Sequence, residues 1–190
     1  MVNFSSTYAF PNGVTLKNRI MMAPMTISSS TPAGDVTNEE LQYYARRASS
    51  GIGTIITACA AINKQAIGFH NSILADSDER IPSLTKLATA IKDGGATAIL
   101  QLFHAGRMSN SKLLKGEQLV SASDIPAARP NAETPRPLSE VEIYETIQHF
   151  ADATRRAITA GFDGVELHGA NTYLLQQFVS PHSNRRTDIW

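Results

Sequence analysis

This 190-residue sequence has almost no cysteine and no excess of positive or negative charge. Cys59 is the only cysteine, which excludes an intrachain disulfide and a cysteine-based metal cluster and suits a reducing compartment. Lysine and arginine total 17, as do aspartate and glutamate, and no stretch is dominated by one sign. The balance therefore points to neither nucleic acid nor an anionic membrane surface, and it favours a small, roughly neutral substrate.

Long apolar runs are also missing. The segment from Met1 to Ser6 has neither the basic region nor the apolar region of a secretory signal, and no later run approaches the length of a membrane span. We therefore expect a soluble, cytoplasmic protein with no membrane partner. The length is sufficient for one domain with a real core, so residues 1–190 are expected to belong to a single domain.

A unit of helix, glycine and short apolar strand recurs along the chain. Its strands are predicted near residues 54–59, 97–102 and 165–167, and an earlier strand near 19–23 stops at Pro24. Each glycine allows the chain to leave its helix in the left-handed conformation. Repeated βα units with non-alternating apolar strands predict a parallel α/β sheet covered by helices. Four strands are half of a (β/α)8 TIM barrel, which needs about 250 residues.

Local signals place the other elements. An Asn-Gly pair predicts a β-hairpin over residues 10–16. Capping-box patterns at Thr37 and Ser139 predict the starts of two helices, and Pro82 suits the first turn of another that runs to about Lys92. Residues 105–138 form a long Ser-, Pro-, Lys- and Arg-rich segment after a strand, so we expect a lid or loop insertion, with an ordinary surface excursion as the alternative.

Three uncharged hydrogen-bonding side chains follow the strand at 165–167. His168 and Asn171 can both donate to one oxygen, which would polarise a carbonyl or nitro group. Tyr173 is protonated at neutral pH and could deliver a proton to a carbanion. Catalytic residues of α/β barrels lie at the carboxyl ends of strands, which favours this functional interpretation. The alternative is that His168 caps a turn and Tyr173 is a core aromatic residue.

The stretch from His168 to Phe178, followed by Ser180 to Asp188, closely resembles the Old Yellow Enzyme family of FMN-dependent ene-reductases. The resemblance extends from about Phe10 and covers the amino-terminal half of the family's barrel domain. It implies FMN as the cofactor, NAD(P)H as the reductant and an activated alkene, such as an enone or a nitroalkene, as the substrate.

The resemblance also assigns residues. Tyr173, His168 and Asn171 would be catalytic: the last two would hold the substrate oxygen, and Tyr173 would protonate the α-carbon after hydride transfer from flavin N5. The Thr26 hydroxyl would bond the carbonyl side of the flavin, and the Gln101 amide would pair with its pyrimidine edge. The implied cofactor-binding set is Pro24, Met25, Thr26, Ala58, Gln101 and His168.

The sequence leaves the roles of some residues, and two alternative functions, undecided. Cys59 is expected to be a packed core thiol. His104 and Arg107 could line the mouth of the site or only shape the loop. One alternative is a related flavin reductase of the dienoyl-CoA reductase or trimethylamine dehydrogenase type. Another is a truncated half-barrel without a cofactor. Because the edge strands of a half-barrel are open, a folded chain is expected to self-associate, as a homo-oligomer, or to be part of a longer polypeptide.

Overall fold

A computed structural model describes residues 3–190. In chain order, the strands and helices are β1 (Tyr8–Ala9), β2 (Thr15–Leu16), β3 (Met21–Met22), α1 (Asn38–Ala48), β4 (Thr54–Ile56), β5 (Ala60–Ala61), β6 (Ile73–Leu74), α2 (Ile81–Asp93), β7 (Thr97–Phe103), β8 (Val120–Ser121), β9 (Arg136–Pro137), α3 (Glu140–Thr159), β10 (Gly164–Leu167) and α4 (Leu174–Val179). Single turns of 3-10 helix lie at Lys64–Ala66, Asp78–Arg80 and Gly106–Met108.

The main sheet is parallel: β3, β4, β7 and β10 lie side by side in chain order, and the short strands β5 and β6 pair beyond the end of β4. β3 pairs with β4, β4 with β7, and β7 with β10. The helices α1, α2 and α3 lie in the three crossovers. A doubly wound sheet reverses its strand order, whereas a barrel adds each new strand beside the previous one. The observed order therefore confirms the predicted fold class, the first four βα units of a (β/α)8 barrel.

The second barrel strand differs from the unbroken strand predicted over residues 54–59. β4 pairs with the start of β7 and β5 with its end, and one extra residue lies on the β4–β5 side between the two pairings. Within this β-bulge, the backbone amide of Thr57 donates to Ile99 O at 2.9 Å. Thr57 Oγ1 accepts from the backbone amide of Gln101 at 3.4 Å. The bulge turns the chain where the strand approaches its carboxyl end.

Both predicted capping boxes are present. The Glu40 amide donates to Thr37 Oγ1 at 3.3 Å, and the Thr37 amide donates to Glu40 Oε2 at 3.1 Å. In the same way, the Glu142 amide donates to Ser139 Oγ at 3.3 Å, and the Ser139 amide donates to Glu142 Oε2 at 2.8 Å. These bonds satisfy amides that the first turn of a helix leaves free, which explains why α1 and α3 begin where they do.

The predicted hairpin closes the amino-terminal end of the sheet. The Phe10 amide donates to Val14 O at 2.8 Å, and Gly13 supplies the positive φ of 91° that the turn requires. Phe10 and Leu16 face Thr54, on β4, across a cavity of about 180 Å³. The candidate site lies at the opposite end of the sheet, at the carboxyl ends of the strands.

The segment 105–138 is anchored to the body of the protein, because Ser109 Oγ donates to Ile67 O at 2.6 Å. Its β8 pairs in parallel with β9, and Leu119 and Val120 are buried. The buried Arg107 guanidinium donates to the carbonyl oxygens of Ile125 and Pro126 at 3.0 and 3.1 Å. Opening of this segment as a lid stays a prediction. Among residues 3–190, no helix is both long and apolar enough to span a membrane.

Candidate active site

His168 and Tyr173 come together at the carboxyl end of β10. The His168 amide donates to Leu102 O at 2.9 Å, which continues the pairing of β10 with β7 by one residue. The imidazole and phenol rings then meet edge to face, with centroids 4.7 Å apart and an interplanar angle of 88°. Two of the three predicted catalytic side chains are therefore in contact.

Two phenylalanines that sequence reasoning missed complete the surroundings of Tyr173. The Phe103 ring lies 5.3 Å from the Tyr173 ring at 78°, and the Phe69 ring lies 6.3 Å away at 82°. The two phenylalanine rings stack at 6.0 Å and 24°. Phe103 was discoverable because it directly follows a predicted strand, whereas Phe69 lies in an irregular segment with no sequence signal. Together they form an apolar wall that half-buries the phenol.

Burial sets the protonation states of the pair. It raises the pKa of Tyr173, with the Cys59 thiol adding to the increase and the Arg129 cation opposing it. Burial lowers the pKa of His168, partly offset by the nearby Glu166 carboxylate. At neutral pH the phenol therefore keeps its proton and the imidazole is uncharged.

A hydrogen bond also fixes the tautomer of His168. The Ala170 amide donates to its Nδ1 at 3.3 Å, so Nδ1 is an acceptor and the imidazole proton lies on Nε2. Nε2–H is then available as a neutral donor at the carboxyl end of the sheet.

Asn171 occupies a strained turn between these two residues. It and Thr172 have positive φ angles of 54° and 60°. Asn171 is exposed, and the hydrogen bonds found among residues 3–190 include none to its side-chain amide. Its role beside His168 as a second donor to the substrate oxygen stays a prediction.

Gln101 projects from β7 at the level of Glu166 on β10. The two residues are partners in the strand register, and Gln101 Nε2 donates to Glu166 Oε1 at 2.7 Å. Gln101 is buried, and its Oε1 accepts no hydrogen bond from the described part of the chain. The amide is thus held by one end and offers a free acceptor at the other. Glu166 had not been singled out from the sequence.

The segments that follow β3 and β4 meet through Thr26 and Cys59. Thr26 Oγ1 lies 3.4 Å from Cys59 Sγ. Cys59 is buried, as predicted for a core thiol, and burial raises its pKa, so the thiol is protonated at neutral pH. The Ala58 amide donates to the buried Tyr44 hydroxyl at 2.7 Å, which fixes the backbone at another predicted cofactor position. The two residues before Thr26 are half-buried Pro24 and exposed Met25.

His104 and Arg107 shape the loop after β7. His104 is buried, and its Nδ1 accepts from the Gly106 amide at 3.0 Å. Burial, with a smaller contribution from His149, lowers the pKa of His104 to about 3. The imidazole is therefore neutral and acts as a structural acceptor. Because Arg107 likewise bonds loop carbonyls, the geometry favours loop shaping over a place at the mouth of the site.

The free polar groups suit the edge of a flavin ring. Thr26 Oγ1 can donate or accept, Gln101 Oε1 accepts and His168 Nε2–H donates. They lie at the ends of three parallel strands, β3, β7 and β10, where a barrel places its cofactor. The pyrimidine edge of a flavin alternates donors and acceptors, so these three residues fit the group and would hold it there. No cluster of His, Cys, Asp and Glu within residues 3–190 could hold a metal ion.

The four βα units and the order of their strands are those of the first half of an α/β barrel. A comparison with known families matches residues 9–190 to the NADH:flavin oxidoreductase / NADH oxidase family, and the chain belongs to that family. This confirms the resemblance described from the sequence, and the fold agrees with it. The structure of an old yellow enzyme homologue from Zymomonas mobilis matches 98% of this chain, with a TM-score of 0.91 and 31% identity.

Two curated relatives show how much of a longer protein the chain represents. It is 52% identical over 190 residues to the NADH:acrylate oxidoreductase of Vibrio harveyi, matching 100% of this chain and 19% of that protein. It is 41% identical over 177 residues to an NADPH dehydrogenase of Geobacillus, matching 93% of this chain and 51% of that protein. The chain also covers 54% of the Zymomonas chain. It therefore spans about half, or less, of the length of these proteins.

Proposed function

We propose that this chain forms part of an FMN site at which NAD(P)H reduces the flavin and an activated alkene is then reduced. The observation that carries the proposal is the contact between neutral His168 and protonated Tyr173, and the free acceptor of Gln101 on the neighbouring strand adds to it. Family membership supports the redox part, because the family is named for NADH and flavin. The alkene as acceptor rests on the donor chemistry of the pair.

The residues of this chain orient the substrate and control its protons. A bound flavin would supply the hydride chemistry. His168 Nε2–H, together with the Asn171 amide, would donate to a carbonyl or nitro oxygen on the alkene and stabilise the charge that develops there. The Tyr173 hydroxyl would protonate the α-carbon. A positioned general acid typically contributes about 10²- to 10⁴-fold in rate.

Uncharged donors are sufficient for this task. The neutral N–H of His168 can donate to the oxygen and stabilise the charge that develops there. The apolar wall of Phe69 and Phe103 half-buries the Tyr173 ring, and this burial raises the pKa of the hydroxyl so that it keeps its proton at neutral pH. The site is thus arranged for transfer of a proton to carbon.

A second candidate is oxidation of NADH with a different electron acceptor. The names of the two compared relatives share a nicotinamide nucleotide, but the Vibrio name gives acrylate as the acceptor and the Geobacillus name gives none. In the Vibrio relative, 19% of the sequence matches this chain, so most of that protein lies outside the match. On this view the shared segment supplies NADH oxidation, and acrylate reduction depends on other parts of that protein.

Flavin binding tests the proposal first. The purified protein is titrated with FMN while flavin fluorescence and the visible spectrum are recorded. We expect saturable quenching, and about tenfold weaker binding in Gln101→Ala, because one hydrogen bond of about 1.4 kcal/mol is lost. Gln148→Ala, at an exposed position on α3, is the matched control and should bind like the unchanged protein.

The acceptor is tested with the same protein loaded with FMN. Anaerobic NADH oxidation is followed with an enone, with acrylate and with ferricyanide. Turnover with the enone supports the leading proposal, and turnover with ferricyanide alone supports the second candidate. Absence of FMN binding in the unchanged protein would contradict both and favour a half-barrel without a cofactor.

A further inference from the structure

The side-chain amide of Gln177 joins three separate parts of the chain. Gln177 is 1% exposed, and its Nε2 donates to Thr172 O at 2.6 Å and to Ala105 O at 3.2 Å. Its Oε1 accepts from the Arg107 amide at 3.2 Å and from Ser121 Oγ at 2.9 Å. Both hydrogens and both lone-pair positions of the amide are used. Helix α4 therefore holds the loop after β10, the loop after β7 and strand β8 together.

The loop held by Gln177 is strained. Asn171 and Thr172 are consecutive non-glycine residues in the left-handed region, with φ of 54° and 60°. This conformation is especially unfavourable for the β-branched Thr172. Such residues are strained and persist only where their surroundings hold them. The bond from Gln177 to Thr172 O is one of those constraints, and Thr172 immediately precedes Tyr173.

The loop after β7 is shaped around the same amide. Gly106 has a φ of 57°, and a Cβ at this position would collide with the side-chain amide of Gln177. A second contact runs parallel to it, since the Leu174 amide donates to His104 O at 2.9 Å. Tyr173 therefore lies between Thr172 and Leu174, two residues that are both tied to the loop after β7. Thr172 is tied to it through Gln177, and Leu174 through the bond to His104 O.

We propose that Gln177 is a positioning residue for the proton donor, fixing the Tyr173 ring against His168 through the carbonyl of Thr172. The inference rests on the proposed function for its catalytic consequence, although the structural part stands independently. Gln177 lies on the far side of the loop and is linked to Tyr173 through the backbone. Its loss would displace the phenol while leaving the chemistry of the phenol intact.

The structural arm of the test uses the protein without flavin. Tyrosine is labelled with carbon-13 at Cζ, and Tyr173 is assigned by its disappearance in Tyr173→Phe. We expect Gln177→Met, which retains volume, to move the Tyr173 signal and to lower its titration midpoint towards about 10 as the ring gains solvent. The groups facing that ring are His168, Cys59, Arg129 and the two phenylalanines of the apolar wall. Gln148→Ala should leave the signal unchanged.

The catalytic arm compares two acceptors in the flavin-loaded protein. Enone turnover needs a proton on carbon, whereas ferricyanide turnover does not. We expect Gln177→Met to lower kcat with the enone by about 10- to 100-fold, since a small misplacement of a catalytic group has effects of this size. Ferricyanide turnover should stay unchanged. Gln177→Glu keeps an acceptor and loses the donors to Thr172 O and Ala105 O. It should show the same selective loss with the enone. Agreement between the two variants would show that the loss does not come from unfolding of Gln177→Met.

A double-mutant cycle completes the test. In a Tyr173→Phe background, Gln177→Glu should reduce enone turnover little further, because both changes affect the same proton transfer. Full additivity, an unmoved Tyr173 signal, or equal losses with enone and ferricyanide would each overturn the proposal. If the unchanged protein reduces no enone, the proposed function fails, and the Tyr173 signal still decides whether Gln177 positions the ring.

Discussion

The Tyr173 phenol meets the His168 imidazole edge to face, at 88° and with 4.7 Å between ring centroids. The contact joins the residue that ends the pairing of β10 with β7 to the residue immediately before α4. Both rings are partly buried and uncharged at neutral pH, so the pair offers two neutral donors at one end of a parallel sheet. The role of each donor can be measured separately.

Removal of the Tyr173 hydroxyl should separate proton transfer from flavin reduction. In Tyr173→Phe we expect enone turnover to fall by about 10²- to 10⁴-fold, because the general acid is lost. NADH oxidation with ferricyanide should persist, since it needs no proton on carbon. Stopped-flow absorbance measures the two half-reactions separately: reduction of the flavin by NADH, and reoxidation of the flavin by the enone. Tyr144→Phe, at an exposed position on α3, is the control, and an equal loss in both half-reactions of Tyr173→Phe would exclude the assigned role.

The buried His104 should make stability depend on pH. Unfolded histidine binds a proton below about pH 6.5, whereas burial lowers the pKa of His104 in the folded protein to about 3. Between these values the unfolded state binds more protons, so the free energy of unfolding falls as pH falls. The expected loss by pH 4.5 is about 2–3 kcal/mol.

Urea unfolding between pH 7 and pH 4.5 measures this dependence. His104→Asn should flatten it, because asparagine does not titrate, and its amide oxygen can replace Nδ1 as the acceptor for the Gly106 amide. His70→Asn, at an exposed position, serves as the control and should leave the slope unchanged. A slope in His104→Asn equal to that of the unchanged protein would assign the effect to other groups.

The hydroxyl of Tyr44 should stabilise the backbone at Ala58. Tyr44 is fully buried and accepts from the Ala58 amide at 2.7 Å, so Tyr44→Phe leaves a buried N–H without a partner. We expect a loss of about 1–3 kcal/mol in the free energy of unfolding, measured by urea denaturation. Tyr43→Phe is a matched control on the neighbouring residue. Because Ala58 is a proposed cofactor position, Tyr44→Phe should also weaken FMN binding, and unchanged stability would show that the bond contributes little.

The edge strands should make the chain self-associate when it is studied by itself. Within the described residues, β3 and β10 each pair with one strand, and Met21 and Leu167 on them are 50% and 52% exposed. Light scattering should give a mass above 20.6 kDa, and Leu167→Lys should lower it by placing a charge on the edge. A single compact chain that unfolds cooperatively would contradict this prediction.

The sequence by itself determined the elements and the ancestry of the site. The capping boxes at Thr37 and Ser139, and the Asn-Gly turn of the hairpin, involve residues within a few positions of one another, so local chemistry is enough to predict them. The repeated βα unit likewise specifies a parallel sheet. His168 and Tyr173 were recognisable because they follow one strand within six residues.

Only the tertiary structure decided which distant side chains meet. The contact of Thr26 with Cys59 joins residues 33 apart, the bond from Gln101 to Glu166 joins residues 65 apart, and the bond from Gln177 to Ala105 joins residues 72 apart. Each depends on the register between neighbouring strands or on the packing of a loop against a helix. A one-residue bulge after β4 is enough to change that register. Such pairings are set by the packing of the whole sheet and its loops, because a buried polar group takes whichever partner the packing brings within reach.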